Sequence, residues 1–343
     1  DVEINNVAII ENFENATEGT TIFNAAATIA NYTNTKGISI LKDISNITTL
    51  KNATENADVK INAATTFDLI ENAGLVEINE NSTTKSLKNT NKIRIAEGKS
   101  LTILENIEDS GEFSGTGALR FTGNAEQLIR LKENANYPHI VVDKDGGKIT
   151  FTNAMTVGLF ETEKSPETVF ESNVSVGTFT DKADSGTYIF NKNASFATET
   201  IFNTTETVSF GSDENSTTSF GTTDNPVNFT HTAGNTTIAG NVVANEITLA
   251  ENTIDGTVTG TEITLGKTTL NGNITGTDVE IGELSLAGTI IANNITLAEI
   301  LVVEDSELKI NEAATDGKIT LKGNVISTGS KTLTLNGNVD AFC

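Results

Sequence analysis

From Thr236 to Glu299 the apolar positions return every sixteen residues, in the units TTIAGNVVANEITLAE, NTIDGTVTGTEITLGK, TTLNGNITGTDVEIGE and LSLAGTIIANNITLAE. A repeat this short and strict predicts a solenoid in which each unit is one coil and equivalent residues stack in columns. The third place holds Ile238, Ile254, Leu270 and Leu286, and the seventh holds Val242, Val258, Ile274 and Ile290. Two more apolar columns follow at the twelfth place (Ile247, Ile263, Val279, Ile295) and the fourteenth (Leu249, Leu265, Ile281, Leu297). Places 3 and 7 share one parity, and places 12 and 14 have the other. A strand changes parity only through a bend, so at least one corner is expected near places 10 and 11. The fifth place is Gly240, Gly256, Gly272 and Gly288, which predicts a column where a Cβ would crowd the next strand or where φ is positive. Ala or Gly also fills places 9 and 15 (Ala244 and Ala250, Gly260 and Gly266, Gly276 and Gly282, Ala292 and Ala298). Those small residues are expected to face a narrow interior.

Upstream the coil lengthens and phenylalanine marks it. Phe151, Phe170, Phe190, Phe210 and Phe229 are 19, 20, 20 and 19 residues apart, and Phe160, Phe179, Phe202 and Phe220 interleave with them. Two aromatic ladders are expected, with Phe170, Phe190 and Phe210 stacked inside successive coils. The competing arrangement is a β-sandwich with Phe in its core, but a sandwich has no reason to keep a constant doubled period. Nearer the N-terminus, strand-like runs such as Ile38 to Leu41, Val59 to Asn62 and Val76 to Asn79 recur irregularly. After Glu299, ITLKGNV at Ile319 and LTLNGNV at Leu333 repeat at fourteen.

The reading is all-β: a single-stranded parallel β-helix (β-solenoid) of about 16–20 residues per coil, continuous over 1–343. It divides into irregular coils at 1–150, Phe-laddered coils at 151–235, strict sixteen-residue coils at 236–299 and C-terminal coils at 300–343. The last coil is expected to contain Leu333, Leu335 and Val339, with Phe342 as a partial plug and Cys343 as a boundary residue or reactive free thiol.

Composition supports strands and narrows function. There are 40 Asn, 55 Thr, 28 Gly and only 3 Pro, a mixture that favours strands and Asx turns over helices. With 22 basic against 46 acidic residues the net charge is -24, which repels phosphate backbones, so no nucleic-acid partner is expected. No run of ~18 apolar residues exists, and no transmembrane segment is expected in this chain. The single cysteine excludes a disulfide framework and any multi-Cys metal site. The chain opens on Asp1 with no basic-then-apolar leader, and reads as a processed or excised piece.

Candidate chemistry is scarce. His139 and His231 are the only side chains that titrate near neutral pH unperturbed, and neither sits in a nucleophile elbow or HExxH pattern. His139 opens the run HIVV and is expected to face solvent. In DKDGG, Asp143 and Asp145 stand at i and i+2 before glycines, a candidate oxygen-ligand pair for Ca²⁺ that lacks the distal Glu of an EF-hand; an Asx-Gly turn is the alternative. The only arginines are Arg94, Arg120 and Arg130, and no Asp pair repeats as a carbohydrate-cleaving face requires. No enzymatic activity is expected, and no cofactor beyond the Ca²⁺ candidate.

The Asn/Thr/Ile-rich coils, the segment GTGALRFTGNAEQL at Gly115 to Leu128 and units such as LNGNITGTDVEIG resemble the passenger regions of bacterial autotransporters of the rickettsial surface-antigen type. The resemblance implies a surface-exposed β-helix exported through an outer-membrane barrel and serving as an adhesin or surface layer. The implied partner is a molecule of a host or neighbouring cell. The coils GNITGTDVEIGELSLAGTIIANNITL also look like bactofilins, β-helices that polymerise end to end; that resemblance implies a structural filament subunit whose partner is a second copy of itself. A carbohydrate-active β-helix is the third reading.

Overall fold

The computed structural model describes residues 1–6, 8–212, 214–222 and 224–341. The plug and thiol read at Phe342 and Cys343 lie outside the described residues. The chain is a parallel β-solenoid of about 18 turns with about 19 residues per coil, and no helix occurs among the described residues. Two compact units divide it, Asp1–Pro166 and Glu167–Cys343.

In the first unit each early coil contributes one short and one long strand. The short strands Val2–Ile4, Thr20–Phe23, Gly37–Leu41, Ala57–Ile61, Leu75–Ile78, Lys92–Ile95 and Glu112–Gly115 form a seven-stranded parallel sheet. The long strands Ala8–Asn15, Ala27–Asn34, Ile44–Asn52, Thr66–Asn72 and Ser82–Asn89 stack beside it. Each long strand turns a corner by pointing two successive side chains outward. Along Ala27–Asn34 the buried residues are Ala27, Ile29, Tyr32 and Asn34, with the change of phase at Ala30 and Asn31. Beyond Ser82–Asn89 this corner becomes a break between strands, because Ser82–Thr84 pairs with Leu101–Ile103 whereas Leu87–Asn89 pairs with Ile107–Asp109. The cross-section therefore has three faces. Spacing between stacked partners runs from 17 residues (Val59 with Val76) to 22 (Ile107 with Ile129), which is the irregularity seen in the sequence.

In the second unit the sixteen-residue register is kept without slip from Glu246 through Glu262 and Asp278 to Asn294. The columns at places 3, 7, 12 and 14 all face the core. Place 1 faces it too, with Thr236, Asn252, Thr268, Leu284 and Ile300 buried in one column. Periodicity missed this column because two of its first three members are threonines and the other is an asparagine. A second change of phase, at places 15 and 16, turns place 1 inward: Ala250 and Glu251 both point away from the core between Leu249 and Asn252. Place 15 is thus the outside of a corner rather than a narrow interior, and Gly266 is exposed. Its smallness has another cause, since a Cβ at Gly266 would fall on the carbonyl oxygen of Ala250 in the preceding coil.

The Phe-marked coils bear out one ladder and correct the other. Phe170 and Phe190 stack at 4.9 Å and 6°, and Phe190 and Phe210 at 5.3 Å and 13°. The column then continues into Ile238 rather than Phe229. The second ladder is Phe196, Phe220 and Phe229, stacked at 4.9 and 4.5 Å. Phe202 instead meets its neighbours Phe190, Phe196, Phe210 and Phe229 edge to face. In the first unit, Phe151 packs edge to face against Phe121 and Phe160. The fourteen-residue repeat near the C-terminus likewise does not mark successive coils. Ile319 pairs with Ile295 and Val339, whereas Leu333 pairs with Ser306 on another face.

Candidate functional site

The glycines at place 5 stand at a corner, Gly240 buried and Gly256, Gly272 and Gly288 half-buried. A Cβ on Gly256 would fall on the carbonyl oxygen of Gly240, one on Gly272 on that of Gly256, and one on Gly288 on that of Gly272. Close approach of successive backbones explains the column. None of these glycines has a positive φ. Phe170, Phe190 and Phe210 are each about 1 % exposed.

Asp143 and Asp145 do not converge on a common point. Alternation turns both outward and buries Lys144 between them. Asp143 accepts a hydrogen bond of 2.6 Å from Arg120, which also binds Glu163 through two nitrogens at 2.8 and 3.2 Å. Asp145 pairs with Lys164 at 2.7 Å. Each carboxylate of the Ca²⁺ candidate is therefore engaged by a cation of its own, and among the described residues no three His, Cys, Asp or Glu side chains group as metal ligands. Lys144 donates to the carbonyl oxygens of Ala125 at 2.7 Å and Gly123 at 3.4 Å, and to Gln127 Oε1 at 3.0 Å. Burial without a counter-charge holds its ammonium below the usual lysine pKa.

The two histidines have different surroundings, His139 half-buried and His231 buried. His139, expected to face solvent, is partly covered and lies 2.7 Å from Glu161 through Nε2. His231 is fully buried. Its Nδ1 lies 2.8 Å from Thr236 Oγ1 and its Nε2 3.0 Å from the carbonyl of Thr204, an arrangement satisfied by a neutral ring that donates from Nε2 and accepts at Nδ1. Burial lowers its pKa, with the Thr204 carbonyl and Asp181 opposing that shift.

The most ordered polar array was not anticipated. Asn15, Asn34, Asn52, Asn72 and Asn89 occupy the last inward place of five successive long strands. Each amide donates to the next, at 2.9, 3.4, 2.9 and 2.8 Å. The same Nδ2 groups also reach carbonyl oxygens at the adjoining corner, those of Lys36, Asp58, Ala57 and Lys92. Side-chain amides thus satisfy backbone groups that a corner would leave buried and unpaired. The sequence carries the signal as an Asn closing each of the runs ENFEN, NYTN, TTLKN, DLIEN and SLKN. Asp109 stands next in register after Asn89. It accepts from Gly111 N at 3.0 Å and from the Tyr137 hydroxyl at 3.0 Å, and burial raises its pKa against those hydrogen bonds. In the second unit Asp181 accepts hydrogen bonds from Ala183 N at 3.1 Å and from the Tyr188 hydroxyl at 2.6 Å.

Outside, charges alternate along one face of the first unit. Lys51, Glu71, Lys88, Glu108 and Arg130 are consecutive members of one outward column. Two adjoining concavities of about 340 and 410 Å³ lie on it and share Lys88, Glu108 and Arg130 in their walls. No protein-family profile, curated protein or solved structure matches the chain.

Proposed function

We propose that this chain is a non-catalytic β-solenoid of a bacterial cell surface, acting extracellularly as an adhesin or surface-layer passenger. The observation that carries this reading is the division of labour across the strand. Inward places are used by packing and by corner hydrogen bonds, so recognition is left to outer faces built from Asn, Thr, Lys and Glu. The acids and bases with unusual environments, Lys144, Asp109 and His231, are turned into the structure rather than toward a substrate. A net charge of -24 keeps such a surface soluble and excludes non-specific adhesion to other acidic surfaces. The test is attachment of beads coated with the purified chain to cultured host cells. Saturable attachment that soluble chain competes away is expected, and attachment no greater than that of albumin-coated beads overturns the reading.

A further inference from the structure

The outward column Lys51, Glu71, Lys88, Glu108, Arg130 places a cation on every second coil. At a parallel strand spacing of ~4.8 Å, successive cations are about 10 Å apart along the stack. Its members are not equally engaged. Lys88 reaches Glu71 at 3.4 Å. Glu108 and Arg130 are neighbours in register, yet neither forms an ion pair or side-chain hydrogen bond with any described residue. The other two arginines are held, Arg94 by Glu77 at 3.2 Å and Arg120 by Asp143 and Glu163. In a chain where acids outnumber bases by 46 to 22, an unengaged guanidinium is unexpected. This one lies in the walls of both concavities, beside Ser86 and Asn106 in one and Ser110 and Asn153 in the other.

The chemistry of that lining defines its ligand. A guanidinium fork matches a carboxylate through two parallel hydrogen bonds. Ser and Asn exchange hydrogen bonds with hydroxyls, and the free Glu108 carboxylate accepts them. Cations on alternate coils, with acids between them, suit a chain whose negative groups are spaced and reject one charged at every unit. We propose that this face binds a linear polysaccharide carrying one carboxylate per disaccharide, laid along the coil stack with its carboxylates on Arg130, Lys88 and Lys51 and its hydroxyls on Glu108. The inference rests on the adhesin reading and names the ligand class for it.

Titration calorimetry at physiological ionic strength with hyaluronan oligosaccharides long enough to span the three cations tests it. The native chain binds, Arg130→Ala weakens binding roughly tenfold or more as expected for a lost charge-assisted pair, and Arg130→Lys falls between them. Lys267→Ala, at an exposed lysine of the second unit, leaves affinity unchanged, and polygalacturonate, charged at every sugar, binds more weakly than hyaluronan. Arg130 is exposed, so equal melting temperatures of the variants verify the fold. Absence of hyaluronan binding, or equal affinity of Arg130→Ala and the native chain, overturns the proposal. Cell attachment is measured in parallel. Attachment without hyaluronan binding overturns the ligand and leaves the adhesin reading standing, whereas hyaluronan binding without attachment supports the ligand and overturns the adhesin reading.

Discussion

The two units bury amides in strands of the same form, with opposite results. In Ala27–Asn34 the inward places are Ala27, Ile29, Tyr32 and Asn34, and the amide comes last, beside the corner. In Glu246–Ile254 they are Ile247, Leu249, Asn252 and Ile254, and the amide comes one inward place earlier. Asn34 has three hydrogen-bond acceptors within reach, Asn52 Oδ1 and the carbonyls of Asp58 and Gly37. Both side-chain polar atoms of Asn252 are buried without a partner, as is the hydroxyl of Thr268 stacked upon it. Mid-strand carbonyls are already used by the parallel ladder, whereas corner carbonyls are not. A shift of one inward place therefore separates amides that are satisfied from Asn15 to Asn72, with the Nδ2 of the last member Asn89 left without a partner, from an uncompensated desolvation at Asn252. The second unit gains cohesion by other means: stacked rings, a glycine corner and aliphatic columns.

The largest effects should come from those other means. Phe190→Ala removes a ring stacked on both sides and should cost about 3–5 kcal/mol, read as a fall in the denaturant midpoint. An unchanged midpoint would mean that the ladder adds nothing to the second unit. Gly272→Val drives a side chain onto the Gly256 carbonyl and should cost about 3 kcal/mol, since backbone has to move. A melting temperature equal to that of the native chain would show that the corner is loose.

Breaking the amide ladder should cost somewhat less. Asn52→Leu leaves Asn34 without its amide acceptor and the carbonyls of Ala57 and Leu75 without a donor. A loss of about 2 kcal/mol is expected, together with faster hydrogen exchange at the neighbouring corners. The matching change Asn252→Leu has the opposite sign. It removes two unsatisfied polar atoms from a column that already holds Leu284 and Ile300, and should raise stability by about 1 kcal/mol. Destabilisation by both substitutions would refute the comparison between the units.

The smallest effect is a pH dependence. His231 has a folded pKa below its ordinary value because burial disfavours the charged ring, so the unfolded chain binds the proton more readily. Stability from this site is intact above about pH 6.5, the ordinary histidine value, and falls as pH drops through it toward the lower folded pKa. Asp109 has a raised folded pKa and works in the opposite sense, gaining stability as pH falls through the carboxylate range. Denaturant melts between pH 7.5 and 5 should therefore be flatter for His231→Gln than for the native chain, and parallel curves would remove His231 from the account.

Sequence alone determined that the chain coils, because apolar side chains recurring at a constant interval over many units have one economical burial, in register between parallel strands. It determined the sixteen-residue columns, the Phe170, Phe190 and Phe210 stack and the glycine corner, each of which rests on one residue type at a constant spacing. Tertiary structure decided what depended on where the strand bends. The phase change at Ala250 and Glu251 is silent in composition, so the polar column of Thr236, Asn252 and Thr268 went unread and the small residues of place 15 passed for interior. The asparagine ladder was legible only as a spacing of 17–20 residues among 40 asparagines, too common a residue for its period to stand out. The Asp143 and Asp145 pair looked like a ligand set because the sequence places them two apart. The fold turns Lys144 inward between them and supplies Arg120 and Lys164 from neighbouring coils. Which charges meet is set by lateral stacking between residues about twenty positions apart, and lateral register is the property that a strand's own sequence does not contain.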